Sequence, residues 1–251
     1  SEYVAPHWKS REWISGFTGS AGTVVVTTTK AGLWTDSRYF LQAALQLEGT
    51  EIELYKEMLP ETPSISTFLS MQLAPGDTVG IDGKMFSAEA VEDMRVKLQK
   101  HRIRLKSISD PLEQLWTDRP PMPEGPAFIH ETKYAGKSST EKISIIREEL
   151  KKCNAKALFL SALDEIAWTL NLRGSDVHCN PVVVSYLLIE EQHTHFFIQP
   201  QKITPVVANY LKEIGASLHP YEEVETYLNR INVDSLLINP AKTNYAMYSA
   251  V

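Results

Sequence analysis

The sequence predicts an α/β fold in two tandem domains, and three observations carry that expectation. Helical and strand-like periodicities alternate along the whole chain, the pattern of sheets flanked by helices. Near the middle, "DRPPMPEGP" (118–126) places four prolines and a glycine in nine residues, where neither a helix nor a central strand survives. The two halves on either side of this break repeat one order of elements. With 251 residues, 43% of them hydrophobic, the chain has material for two cores, and the expected division is 1–122 and 123–251.

In the first half, the β-branched run Val24-Val25-Val26-Thr27-Thr28-Thr29 predicts a strand. Lys30-Ala31-Gly32 offers a turn, and Leu33-Trp34-Thr35-Asp36 closes a hairpin. Apolar positions at Phe40, Leu41, Ala44 and Leu45 predict a helix over 37–47, with Asp36 or Ser37 as N-cap. Strands at 51–55, 78–81 and 104–107 then alternate with helices at 64–73 and 87–100.

In the second half, Ser138 or Ser139 caps a helix whose stripe is Ile143, Ile146 and Leu150, with Glu141 in its first turn. Ala157-Leu158-Phe159-Leu160 predicts a buried strand and 163–172 a helix. A hairpin of 181–189 with 195–199 follows, then helices at 205–214 and 222–231 and strands at 217–219 and 235–238.

The repeat is visible in the letters. "REWISGFTGSAGTVVVTTTKAGLW" and "DEIAWTLNLRGSDVHCNPVVVSYLLIEEQHTHFF" both run helix, Gly-Ser turn, strand, turn, strand, with Gly19-Ser20 against Gly174-Ser175. The second copy has a helix and a strand ahead of this module, whereas the first has only residues 1–10. The first copy is therefore expected to lack its opening helix and strand, which are expected upstream of Ser1.

"ALDEIAWTLNLRGSDVHCNP" (162–181) has the density of polar groups of a site, and metal or acid/base chemistry is the sharp reading. Metal ligands must converge on one point, usually from different elements. Asp164 and Glu165 instead sit at a helix start, where free N–H groups favour negative charge. His178 and Cys179 are adjacent, a poor arrangement for one ion. Arg173 is expected either to bind free helix carbonyls or to pair with Asp176 across the turn.

"GFTGSAG" (16–22) follows a helix and opens a strand, the reverse of a phosphate-binding loop. It reads as a C-cap and tight turn. In "WTDSRYF" (34–40), Arg38 falls in the first turn of a helix, where the dipole opposes a cation, so a salt bridge or a ligand contact is expected to compensate. No His-Glu-x-x-His, Gly-x-Ser-x-Gly or Walker pattern occurs.

A net charge of -6 without a basic stripe argues against nucleic acid as a partner. Two cysteines outside any Cys-x-x-Cys pair favour a reducing compartment, and no apolar run reaches the roughly 18 residues of a membrane helix. The expected location is the cytoplasm, without membrane attachment.

"SEYVAPHWKSREWISGFTGSAGTVVV", "LWTDSRYFLQAALQL", "LWTDRPPMP" and "SALDEIAWTLNLRGSDVHCNPVVVSY" together resemble the amino-terminal half of the Xaa-Pro aminopeptidases (aminopeptidase P, peptidase family M24) in their long, three-domain cytosolic form. The resemblance implies two creatinase/prolidase-type amino-terminal domains, each a mixed six-stranded sheet flanked by helices. It also implies that catalysis belongs to a third "pita-bread" domain beyond Val251, whose two Asp, one His and two Glu hold two manganese ions.

By that resemblance no catalytic or metal-binding residue is expected in this chain. The implied partners are peptides with proline at the second position, the chain's own carboxy-terminal catalytic domain and a second copy in a homodimer. The one site residue it implies is Arg38, which matches the arginine of the family's WTD-x-RYF motif and would bind the substrate peptide. Fold alone does not assign chemistry, so a prolidase-like dipeptidase or a stand-alone binding module of the same fold are the competing expectations.

Overall fold

A computed structural model describes residues 3–251. They form two compact units: one from residues up to Asp82 together with Glu92–Pro121, the other from Gly83–Val91 together with Met122–Val251.

The first unit begins with helix α1 (Ser10–Ser15), strands β1 (Thr23–Val26) and β2 (Ala31–Thr35), helix α2 (Phe40–Gln46) and strand β3 (Ile52–Lys56). Helix α3 (Ile65–Gln72), strand β4 (Thr78–Asp82), helix α4 (Ala88–Gln99), which belongs to this unit from Glu92 onward, and strand β5 (Arg104–Ile108) follow. The β-branched run ends as a strand at Val26 rather than Thr29. Thr27 Oγ1 accepts the backbone N–H groups of Thr29 and Lys30, which curls the chain into the turn. The helix expected at 37–47 starts as a 3-10 turn over Ser37–Tyr39 capped by Asp36, and only then becomes α-helical.

The second unit opens with strand β6 (Phe128–Ile129), helices α5 (Thr132–Ala135) and α6 (Ser139–Lys152) and strand β7 (Ala157–Leu160). Helix α7 (Leu163–Leu170) and strands β8 (Leu172–Arg173), β9 (Ser185–Glu190) and β10 (Thr194–Ile198) come next. Helix α8 (Pro205–Glu213), strand β11 (Ala216–His219), helix α9 (Val224–Leu228), strand β12 (Leu236–Ile238) and helix α10 (Tyr245–Ser249) complete it. The capping box at α6 is present: Ser138 Oγ accepts from Glu141 N–H, and Glu141 Oε2 accepts from Ser138 N–H at 2.7 Å. The segment Gly83–Val91 joins this unit through backbone bonds such as Ala88 N–H to Thr243 O and Tyr245 N–H to Phe86 O.

The sheets are mixed, but neither reaches the expected six strands. The second unit has five, ordered β11-β10-β9-β7-β12, with the two outer pairs parallel and the two inner pairs antiparallel. β8 is too short to join and pairs with β6 alone. Its central strands are buried on both faces. Leu187, Ile189, Phe196 and Ile198 face one cluster with α7 and α8, and Tyr186, Leu188 and Phe197 face another with α9 and α10. Each such side chain contributes about 1.5–3 kcal/mol on burial, more than a typical cap, so these strands dominate the unit's stability.

In the first unit the strands fall into two ladders, β3-β2-β1 and β4-β5. Both ladders serve one core: Val25, Trp34, Tyr55, Val79 and Leu105, one from each strand, pack with Phe68 and Leu69 of α3 and Leu98 of α4. The copies explain the split. β1, β2 and β3 repeat the pairing of β9, β10 and β11, an antiparallel hairpin followed by a parallel strand. In the second unit β7 lies between β9 and β12 and joins the halves; among the described residues, nothing plays that part between β1 and β4.

The αL residue closing the helix of each repeated module recurs too. Gly16 (φ 69°) and Asn171 (φ 48°) follow α1 and α7, and the next residues, Phe17 and Leu172, are both fully buried.

Candidate functional site

In the 162–181 stretch the polar groups are spent on holding the chain. Asp164 is exposed in the first turn of α7 and Glu165 is half-buried beside it. Arg173 Nη1 donates to the carbonyls of Ala167 (2.5 Å) and Leu172 (2.9 Å), so of the two expected roles it takes the helix carbonyls. From α6, the buried Lys142 ammonium reaches the same helix end, donating to Trp168 O at 2.8 Å and Asn171 Oδ1 at 2.6 Å. Burial, then the nearby Arg173 charge, lowers the Lys142 pKa. Two cations at one C-terminus suit the helix dipole.

Asp176 does not pair with Arg173. Its Oδ1 takes Lys202 Nζ at 2.5 Å and its Oδ2 takes Val184 N–H at 2.6 Å, with both charged side chains fully buried. Lys202 lies beyond the following hairpin, so sequence spacing gave no hint of it. His178 and Cys179 are exposed. Among the described residues, no three or more His, Cys, Asp or Glu side chains converge as a metal site would require, so the described donors do not fit the two-metal centre that the family resemblance implies.

The Gly16–Gly22 turn aims its carbonyls, not its amides, at a charge: the Arg11 guanidinium donates to Gly19 O and, at 2.9 Å, to Gly22 O. A phosphate cradle needs the reverse polarity. At the matching positions Gly19 and Gly174 there is no room for a Cβ, which would strike the Phe17 ring in one copy and Val183 in the other.

Arg38 stands at the carboxyl edge of the parallel pair β2–β3, where Thr35 is in register with Lys56 and Glu57 N–H extends the ladder to Thr35 O. Open sheets present ligand sites at such edges. Asp36, the residue just past β2, accepts Arg38 N–H (3.0 Å) and Nε–H (2.9 Å) on Oδ1 and Nη2–H (2.8 Å) on Oδ2. That pair is the compensation the helix-start cation requires. The Arg38 side chain is 57% exposed, its guanidinium lies 5.2 Å from the Tyr39 ring centroid, and Tyr39 OH shares a 2.6 Å hydrogen bond with Ser20 Oγ.

Hydrogen bonding from Arg38 keeps the Asp36 carboxyl below its ordinary range, whereas burial and the Asp36 charge push the neighbouring Glu57 up. Beside Glu57, Met58 is 96% exposed with φ at 68°, a conformation that L side chains resist.

A second titratable cluster, which sequence reading missed, lies in the second unit. His195 Nε2 is 3.0 Å from Glu190 Oε2, His195 Nδ1 is 3.0 Å from His219 Nε2, and Tyr227 OH is 3.1 Å from His195 Nε2. Only the i, i+5 pair on the hairpin was legible; His219 and Tyr227 arrive from β11 and α9.

Comparison with known proteins shows the family. A creatinase/prolidase N-terminal domain model matches residues 3–115, and a second model of the same description matches 118–251. The chain belongs to the creatinase/prolidase N-terminal domain family, with two such domains in tandem. It is 40% identical to aminopeptidase P2 of Arabidopsis thaliana over 99% of its own length and 36% of that protein's. It is 37% identical to Xaa-Pro aminopeptidase 1 of Dictyostelium discoideum over 100% of its length and 41% of that protein's.

Among solved structures it matches an X-prolyl aminopeptidase of Caenorhabditis elegans, described as a cytosolic enzyme with a di-nuclear active site. The TM-score is 0.93 at 31% identity, covering 100% of this chain and 42% of that one. The chain thus spans about two-fifths of the length of these relatives. Among the described residues, no helix is long and apolar enough to cross a membrane.

Proposed function

We propose that this chain is the non-catalytic amino-terminal region of a cytoplasmic, manganese-dependent Xaa-Pro aminopeptidase, which removes the first residue of peptides whose second is proline. Its two domains, divided at 122/123, shape substrate access and contribute contacts to a homodimer. Arg38 binds the substrate peptide, using a guanidinium whose several donors suit peptide oxygens. The manganese pair, held by a separate catalytic domain, would supply the activated water; this chain's part is to bind and orient. The observation that carries the reading is the full-length match to an X-prolyl aminopeptidase of which the chain spans 42%.

In the first domain the β1–β3 and β4–β5 ladders stay separate, whereas β7 joins the corresponding strands of the second.

The test is to assay the parent protein and the 251-residue chain side by side, with manganese, on an Xaa-Pro-Xaa tripeptide and an Xaa-Pro dipeptide. Tripeptide cleavage by the parent alone is the expected result. Exclusive dipeptide cleavage by the parent would refute the aminopeptidase reading in favour of a prolidase.

A further inference from the structure

We propose that Asp36 is a positioning residue for peptide binding: it fixes the plane of the Arg38 guanidinium and cancels its charge, so that Arg38 addresses a neutral peptide carbonyl rather than a free carboxylate. This rests on the reading of Arg38 given above and goes beyond it by naming the group that orients the arginine and the kind of oxygen it serves.

The geometry is a fork on a fork. Both Asp36 oxygens are engaged, Oδ1 with Nε and Oδ2 with Nη2, at 2.9 and 2.8 Å. Such two-point contact sets the guanidinium plane, which a single bond leaves free to swivel. The same Oδ1 accepts the Arg38 backbone N–H at 3.0 Å, so cap and clamp share one carboxylate and the side chain is held against its own turn. The Tyr39 ring, tied through its hydroxyl to Ser20, lies beside the guanidinium.

Charge settles which ligand oxygen fits. An arginine attracts a carboxylate chiefly by net charge, and the Asp36–Arg38 pair has none. A carboxylate entering here would also approach Glu57, half-buried in the turn just past β3, where its backbone N–H bonds Thr35 O at 2.9 Å beside Asp36. A carbonyl accepts a hydrogen bond from the paired guanidinium without that repulsion.

The experiment uses the full-length parent enzyme and an Xaa-Pro-Xaa tripeptide offered both as the free acid and as the carboxy-terminal amide. Arg38→Ala is expected to raise KM for both forms alike. Asp36→Asn keeps an oxygen for the cap but loses the second charge-assisted bond, and is expected to raise KM for the amide about tenfold with kcat nearly unchanged. The free acid should suffer less, because removing the Asp36 charge strengthens the attraction of Arg38 for its carboxylate. Asp36→Ser, which caps but cannot clamp, should behave like Asp36→Asn, and Arg38→Ala/Asp36→Asn should be no worse than Arg38→Ala.

An unchanged KM in both Asp36 variants, or additive effects in the double variant, would overturn the positioning role while leaving Arg38 in place. A wild-type enzyme that strongly prefers the free acid, with Arg38→Ala erasing the preference, would overturn the carbonyl assignment. Unchanged KM in Arg38→Ala would overturn the reading of Arg38 itself and this inference with it.

Discussion

Asp176 and Lys202 form an ion pair with both side chains fully buried, 2.5 Å between Oδ1 and Nζ. The pair ties the long turn after α7 to the segment following β10, and its second oxygen holds Val184 N–H at the entry to β9. Removing one partner strands a charge in the core. Asp176→Ala is therefore expected to destabilise the chain by about 3–5 kcal/mol, and replacing both residues with apolar ones of similar size to cost much less. Urea unfolding followed by circular dichroism measures both; equal losses would show that the carboxylate's backbone bond, not the pair, matters.

The matched αL positions give a paired prediction. Gly16→Ala meets no atoms, so its expected cost is the backbone strain alone, about 1–2 kcal/mol. At the equivalent place, Asn171→Ala loses both asparagine's tolerance of that conformation and an acceptor for the buried Lys142 ammonium, for an expected total of about 2–4 kcal/mol. Asn171→Gly relieves only the strain and should fall between. Denaturation midpoints of the three variants decide it, and equal costs at both positions would mean that the Lys142 bond contributes nothing.

Stability should fall in mild acid through the Glu190, His195, His219 and Tyr227 cluster. Burial lowers the His219 pKa, the facing His195 adds to the effect and Glu223 partly opposes it. A histidine whose pKa is depressed in the folded chain binds fewer protons there than when unfolded, so its contribution is present above about 6.5 and lost as pH falls. Urea midpoints at pH 7.5 and 5 should differ, and His219→Gln should flatten the difference. A slope unaltered by that substitution would place the acid sensitivity elsewhere.

Much of this architecture was legible in the letters, for identifiable reasons. The valine run and the capping residues Asp36 and Ser138 act locally, and local signals survive in a single sequence. The exact element ends were not, because Thr27 bonds its own turn and Asn171 closes α7 in the αL conformation. Partners distant along the chain were out of reach: Lys202 for Asp176, Lys142 for Asn171, His219 for His195. Of the candidate site, Arg38 was visible as a cation at an unfavourable helix start, and Asp36 was visible only as a cap; its grip on the guanidinium required coordinates.

The most direct measurement is peptidase activity with manganese on an Xaa-Pro-Xaa tripeptide, for the parent, for the parent carrying Arg38→Ala and for the 251-residue chain alone. The account predicts cleavage by the parent, a raised KM at unchanged metal content in the variant, and none by the chain. Turnover by the chain alone would contradict it.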